Sequence, residues 1–390
     1  MQHSESIIYV IFLIFGGTAI LSTLALMTRQ SLLVAYIALG ALLGPWGLKL
    51  VKNSAIIKQT GDIGIIFLLF LLGLHLQPQN LLHSLRKMSW ITLASSLIFF
   101  LMGYLVGHFF HYTLSENVII GIVTMFSSTI IGLKLLPTTI LHHQHTGELM
   151  ISILLLQDII AIAALLILQG ISDRAFSFQD IGLIVTAFPL LLILGYLFER
   201  FILNKLLQRF DQIHEFIFIV SIAWCLSLAQ LSHVMGLTEE IGAFIAGVVL
   251  ASNPISLYVA ENLKPLRDFF LVIFFFTIGA SFNFDYLPEV IWPAILLASI
   301  VLLFKPIIFG WLLRQSGERK KISWEIGVRL GQMSEFSLLV IYLGLQANIV
   351  GLRATYVVQA AMILTFIVSS YWVTLRYPTP LAPYDKLRRD

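Results

Sequence analysis

The sequence predicts an all-α polytopic membrane protein of about thirteen transmembrane helices, and three observations predict it. Of 390 residues, 58% are hydrophobic and 12% charged, with a mean hydropathy of +0.92, whereas a water-facing surface needs about a quarter of its residues charged. The apolar residues come in runs of about 20, the length that crosses a hydrocarbon core as a helix. Lys and Arg gather in alternate connections between those runs, as they do on the cytoplasmic side of a membrane protein.

The first run, residues 7–27, follows a short segment that lacks the basic region of a signal peptide, so it reads as a retained helix. The other spans fall at 31–50, 55–76, 88–110, 117–136, 147–169, 180–200, 214–234, 237–252, 267–284, 288–313, 322–346 and 353–376. The ninth is short, and Pro45, Pro254 and Pro288 leave the boundaries near them free to move by several residues. With the N-terminus outside, the inner side receives seventeen Lys and Arg and the outer side five. The odd span number then puts the C-terminus inside, with residues 377–390 as a short cytoplasmic tail and no soluble domain attached. The single cysteine, Cys225, excludes a disulfide framework and a thiolate metal site.

Ionisable groups at membrane depth need a partner, a wet cavity or a function. Asp158 lies at the middle of the sixth span beside Gln157, and it is either a cation or proton site or a structural carboxylate paired to a neighbouring helix. Lys305, followed by the helix-breaking Pro306 in the eleventh span, either meets Asp158 or snorkels towards the inner face. The fifth span carries Ser127-Ser128-Thr129 and the twelfth Gly331-Gln332-Met333-Ser334-Glu335 near their middles. Both strings can unwind and present hydroxyls and carbonyls to an ion. The two spans lie seven apart and so run in opposite directions, as matching helices of an inverted repeat must; crossed broken helices beside Asp158 form a transport site.

Other polar groups have simpler readings. Arg329 and Glu335, six residues apart, are too far for a direct i,i+4 pair and neutralise helix ends. Glu239 and Glu240 open the ninth span, where the helix dipole favours them. Asp62 and His75 bracket the third span as interfacial anchors. His142, His143 and His145 crowd an inner loop ahead of Glu148, a solvated loop or a pH sensor rather than a metal site.

Six strings now carry a resemblance: Gly64 to Leu74 (GIIFLLFLLGL), Phe126 to Thr129 (FSST), Leu156 to Ile159 (LQDI), Gly242 to Gly247 (GAFIAG), Phe274 to Gly279 (FFFTIG) and Gly331 to Phe336 (GQMSEF). In this order they resemble the membrane domain of the Kef-like branch of monovalent cation:proton antiporters, relatives of the sodium/proton exchangers. The resemblance covers roughly the whole chain. It implies the sodium/proton antiporter-like fold of about thirteen helices, with inverted repeats and two crossed broken helices. It also implies a transmembrane domain over 1–376 that divides into a dimerisation part (7–76 and 214–284), a linker helix (180–200) and a core (88–169 and 288–376).

Carried over by position, Asp158 is the ion-binding carboxylate and Gln157 the neighbour that distinguishes Kef-like from sodium-exchanging members. Ser127, Ser128 and Thr129 form the unwound segment, and Lys305 is the basic residue that some relatives place opposite. Arg329, Gln332, Ser334 and Glu335 support the helix crossover. The departures are His75, where an acidic residue is usual, the less acidic loop Ala260 to Pro265, and the missing nucleotide-binding regulatory domain.

The implied protein is not an enzyme. It is a homodimeric antiporter of a bacterial inner membrane that exchanges K+, or Na+, for H+ by competition at Asp158 with alternating access, and it needs no cofactor, metal or nucleic acid. Two rivals remain open. One is a sodium-coupled organic-anion symporter on a similar scaffold; the other is a non-transporting membrane scaffold or sensor.

Overall fold

The computed structural model describes all residues except 1–6, 29, 31, 52–62, 68, 72, 75–77, 130–131, 133–144, 173–177, 211–212, 238, 252, 254–255 and 379–390. The described secondary structure is helical throughout, because a backbone in lipid must satisfy its hydrogen bonds within the segment. In chain order the helices are α1 (Ile7–Met27), α2 (Leu32–Leu43), α3 (Pro78–Phe109), α4 (Leu114–Met125), α5 (His145–Ser172) and α6 (Phe178–Phe198). A π-helical turn, Glu199–Leu203, carries α6 into α7 (Asn204–Arg209). Then come α8 (His214–Val234), α9 (Glu239–Ala251), α10 (Ser256–Asn262), α11 (Lys264–Ser281), α12 (Leu287–Gln315), α13 (Lys320–Arg329), α14 (Glu335–Gln346) and α15 (Leu352–Arg376). Residues 63–67, 69–71 and 73–74 are also helical. Seven described helices are long and apolar enough to cross a membrane, and four shorter apolar ones, among them α4 and α14, accompany them.

Several ends fall where the apolar runs put them, as at Ile7–Met27 and His214–Val234. Others move. The fourth span, placed at 88–110, agrees with the apolar stretch Met88–Phe109, but the helix that carries it starts ten residues earlier at Pro78, because the segment up to Lys87 is helical without being apolar. Asp62, His75, His142 and His143 lie outside the described residues.

The chain forms two compact units. The first holds residues 1–19, 36–82 and 169–281. Its helices meet through glycine. A Cβ on Gly279 of α11 would strike the carbonyl of Ile37, and one on Gly247 of α9 would strike that of Phe70. Such contacts let helix backbones approach closely, the usual route to packing where lipid removes the hydrophobic drive between helices. The glycines of the GAFIAG and FFFTIG strings are therefore packing residues. The Trp224 indole donates to Ala246 O at 3.0 Å and stacks on Phe198, fixing α8 against α9.

The second unit holds residues 20–35, 83–168 and 282–390. A core of Met88, Ile91, Phe99, Met150, Ile153, Phe309 and Leu313, among others, joins α3, α5 and α12. α13 approaches α12 where Gly327 sits against the Pro306 carbonyl. Two helical stretches of this unit break: α4 stops at Met125, and Phe126, Ser127 and Ser128 are non-helical; α13 stops at Arg329, and α14 begins only at Glu335. Thr129, expected within the first break, is instead helical, since the chain resumes its turn there.

Candidate functional site

Each break exposes backbone groups that no helix satisfies, and in a buried setting every one needs a partner. The end of α4 is met by three side chains. Ser337 Oγ donates to Val123 O at 2.6 Å, Gln157 Nε2 donates to Met125 O at 3.1 Å, and Lys305 Nζ donates to Phe126 O at 2.6 Å. The Ser127 N–H donates to Gln157 Oε1 at 3.1 Å. Gln157 thus grips the break with both ends of its amide. Met125 O can only accept and Ser127 N can only donate, so a carboxylate in its place could not serve both.

The second break meets the first. Lys305 Nζ also reaches Gln332 O at 3.3 Å and Ser127 Oγ at 3.5 Å, so one ammonium spans both. Gln332 Nε2 donates to Ser128 O at 3.4 Å, so the two breaks are in contact. Met333 N donates to Thr365 Oγ1 at 3.2 Å, and Ser334, the N-cap of α14, accepts from Phe336 N at 3.1 Å through its hydroxyl. Gln332 Oε1 accepts from Ser369 Oγ at 3.0 Å.

Lys305 is 0% exposed and sits 5.1 Å over the Phe99 ring, so it does not snorkel. Nor does it pair with Asp158: among the described residues no ion pair joins the two. The physical reason is the break itself. It frees carbonyls beside the ammonium, and three acceptors match its three N–H donors.

Asp158 is 3% exposed on α5, next to the Gln157 that docks on the first break. Glu335, in the first turn of α14, is close enough for its carboxylate to act on Asp158. The Thr129 hydroxyl is buried with no hydrogen-bond partner. A desolvated carboxyl without a counter-ion holds either a proton or a cation. Among the described residues no group of three or more His, Cys, Asp or Glu forms a metal site.

Arg329, 1% exposed, has a partner one turn back. Its guanidinium bonds Glu325 at 3.0 Å and the Pro378 carbonyl at 2.9 Å, and stacks on Tyr377. The Glu325/Arg329 spacing of four was readable in the sequence and missed. So were Thr365 and Ser369, whose only signal was their place among the polar residues of the last span. His145 pairs with Glu318 at 2.9 Å, a contact between distant segments that no local spacing announces.

Comparison with known proteins fits this geometry. A family model described as sodium/hydrogen exchanger, transmembrane, matches residues 10–375. The chain belongs to the sodium/hydrogen exchanger family. It is similar to the iron transporter MagA of Paramagnetospirillum magneticum, 26% identical over 89% of this chain and 81% of the relative. It is also similar to K(+) efflux antiporter 5 of Arabidopsis thaliana, 28% identical over 87% of this chain and 60% of the relative. K(+) efflux antiporter 6 of the same plant is 28% identical over 80% of this chain and 53% of its own length. The chain therefore spans little more than half of those two plant relatives. The Kef-like resemblance is borne out by these matches. The sodium proton antiporter MjNhaP1 from Methanocaldococcus jannaschii superposes with a TM-score of 0.68 at 15% identity, covering 93% of this chain and 95% of that one. This exchanger-family chain thus has the antiporter-like fold and is a multi-pass membrane protein.

Proposed function

We propose that the protein exchanges a monovalent cation for protons at Asp158, with no enzymatic activity. The observation that supports this most is a buried carboxylate beside two touching breaks whose exposed carbonyls are already engaged by Gln157 and Lys305. Asp158 is the acid left over, and proton and cation compete for it. Gln157 holds the backbone, while Glu335 brings a second carboxylate to the neighbourhood of Asp158. Potassium is the first choice of cation and sodium the second, in keeping with the plant relatives' names. The name of the iron transporter MagA adds iron to the cations worth testing.

In this reading the core at 88–169 and 288–376 moves against a dimerising part at 7–76 and 214–284, opening Asp158 to each side in turn. The protein is a homodimer in a bacterial plasma membrane, N-terminus outside and C-terminus inside. Lys305 keeps its proton, since its three N–H groups hold the breaks together, and exchange is electroneutral.

The test is cation-dependent proton flux in proteoliposomes with lithium, sodium, potassium, rubidium and iron. Asp158→Asn should abolish flux with its melting temperature preserved; pH-driven cation flux retained by that variant would overturn the reading. A membrane potential alone should drive no uptake by the wild type, and uptake under that condition would overturn electroneutrality.

A further inference from the structure

The last described helix, α15, contributes to the second break. On α15, Thr365 and Ser369 stand one turn apart, both buried, and both face the second break. Thr365 Oγ1 accepts from Met333 N at 3.2 Å while its own hydroxyl hydrogen goes to Met362 O at 2.8 Å. Ser369 acts on a side chain instead. Its Oγ donates to Gln332 Oε1 at 3.0 Å, and the Nε2 of that same amide donates to Ser128 O in the first break at 3.4 Å.

The chemistry of this chain runs one way. The Ser128 carbonyl can only accept, so Gln332 must present its NH2 group there and turn its oxygen to α15. A hydroxyl at 369 can donate to that oxygen; an alkyl group cannot. Without the donor, a buried amide oxygen is left unpaired, and the side chain gains by turning away from Ser128. Ser128, Gln332 and Ser369 are all at most 2% exposed, so bulk water does not replace the lost bond. Meanwhile the main-chain oxygen of Gln332 accepts from Lys305, which also holds Phe126 O. A shift of Gln332 is therefore felt by the ammonium that ties the two breaks.

We propose that Ser369 is a positioning residue: through Gln332 it locks the second break onto the first and so sets the oxygen geometry around Asp158. The inference on transport rests on the exchange reading above, but the lock between the breaks does not.

Two measurements separate them. Hydrogen exchange followed by mass spectrometry on wild type and Ser369→Ala reads the lock directly. The expected result is faster exchange in peptides covering both 126–129 and 330–334, with Ser369→Thr restoring both. Loosening confined to 330–334, or none, overturns the proposal whether or not the protein transports. In proteoliposomes, Ser369→Ala should raise the half-saturating cation concentration about tenfold, the scale of lost support behind an ion ligand. Gln332→Ala should do the same, and the double variant should lie within about twofold of Gln332→Ala alone, since residues acting in series do not add. Additive effects, or a lower melting temperature with unchanged half-saturation, overturn the role. Absence of flux in the wild type sinks the exchange reading and leaves the hydrogen-exchange result to decide the lock.

Discussion

The two broken helices carry similar strings, Ser127-Ser128-Thr129 and Gln332-Met333-Ser334, yet they are held differently. The first break is held mainly from outside, with a bond of its own segment from Gly132 N to Ser128 O at 3.1 Å. Gln157 takes Met125 O and Ser127 N, Lys305 takes Phe126 O, and Gln332 takes Ser128 O. The second is held partly by itself, since Ser334 caps α14 with its own hydroxyl, and partly by Thr365 and Lys305. A break that caps itself keeps its local shape when neighbours shift; one gripped by other helices reports their positions. The first break, beside Asp158, is of the second kind, and each variant below is chosen to separate the two.

Lys305 serves both breaks, so its loss is the largest effect expected. Lys305→Met keeps the bulk of the side chain but leaves Phe126 O and Gln332 O without their donor. Two buried acceptors left bare cost about 3 kcal/mol in total. A large fall in melting temperature, with peptides 126–129 and 330–334 both exchanging faster, is the expected outcome. A variant as stable as wild type would show that the ammonium is not the tie between the breaks.

Gln157→Asn comes next and strikes the first break alone. Its amide, one methylene shorter, can serve Ser127 N or Met125 O but not both. About 2 kcal/mol is the expected loss for one buried backbone group left unpaired. Exchange in 126–129 should quicken while 330–334 stays protected. Equal loosening of both segments would mean that the breaks form one cooperative element, and the contrast drawn here would fail.

Much of this architecture was legible beforehand because lipid leaves the backbone few choices. Apolar runs of span length must be helical, which is why Ile7–Met27 and His214–Val234 fall where hydropathy puts them. The polar start of α3 was illegible for the complementary reason: Pro78 to Lys87 carries no hydropathy signal for a span. Hydroxyl strings marked both breaks, although Thr129 lies past the first one. The partners of Lys305, Phe126 O and Gln332 O, were hidden, since a sequence displays charges and not the carbonyls a break releases. Ser369 was hidden because serine in a membrane helix is common, and only the orientation of Gln332 reveals what it does.

The smallest effect belongs to the self-capped break. Ser334 has the extended backbone of an N-cap, φ −105° and ψ 154°, and its hydroxyl accepts from Phe336 N. Ser334→Ala removes that acceptor and should cost about 1 kcal/mol, the usual price of a lost cap. The loss stays small because other bonds of the break survive: Ser337 N still reaches Ser334 O, Met333 N still reaches Thr365, and Lys305 still holds Gln332 O. A slight fall in melting temperature, with faster exchange at the start of α14 and none at 126–129, is expected. Ser334→Thr, which keeps a cap hydroxyl, should recover the protection at α14. Should Ser334→Ala instead loosen 126–129, the hydroxyl's influence reaches the first break, and the second break depends on its neighbours as much as the first does.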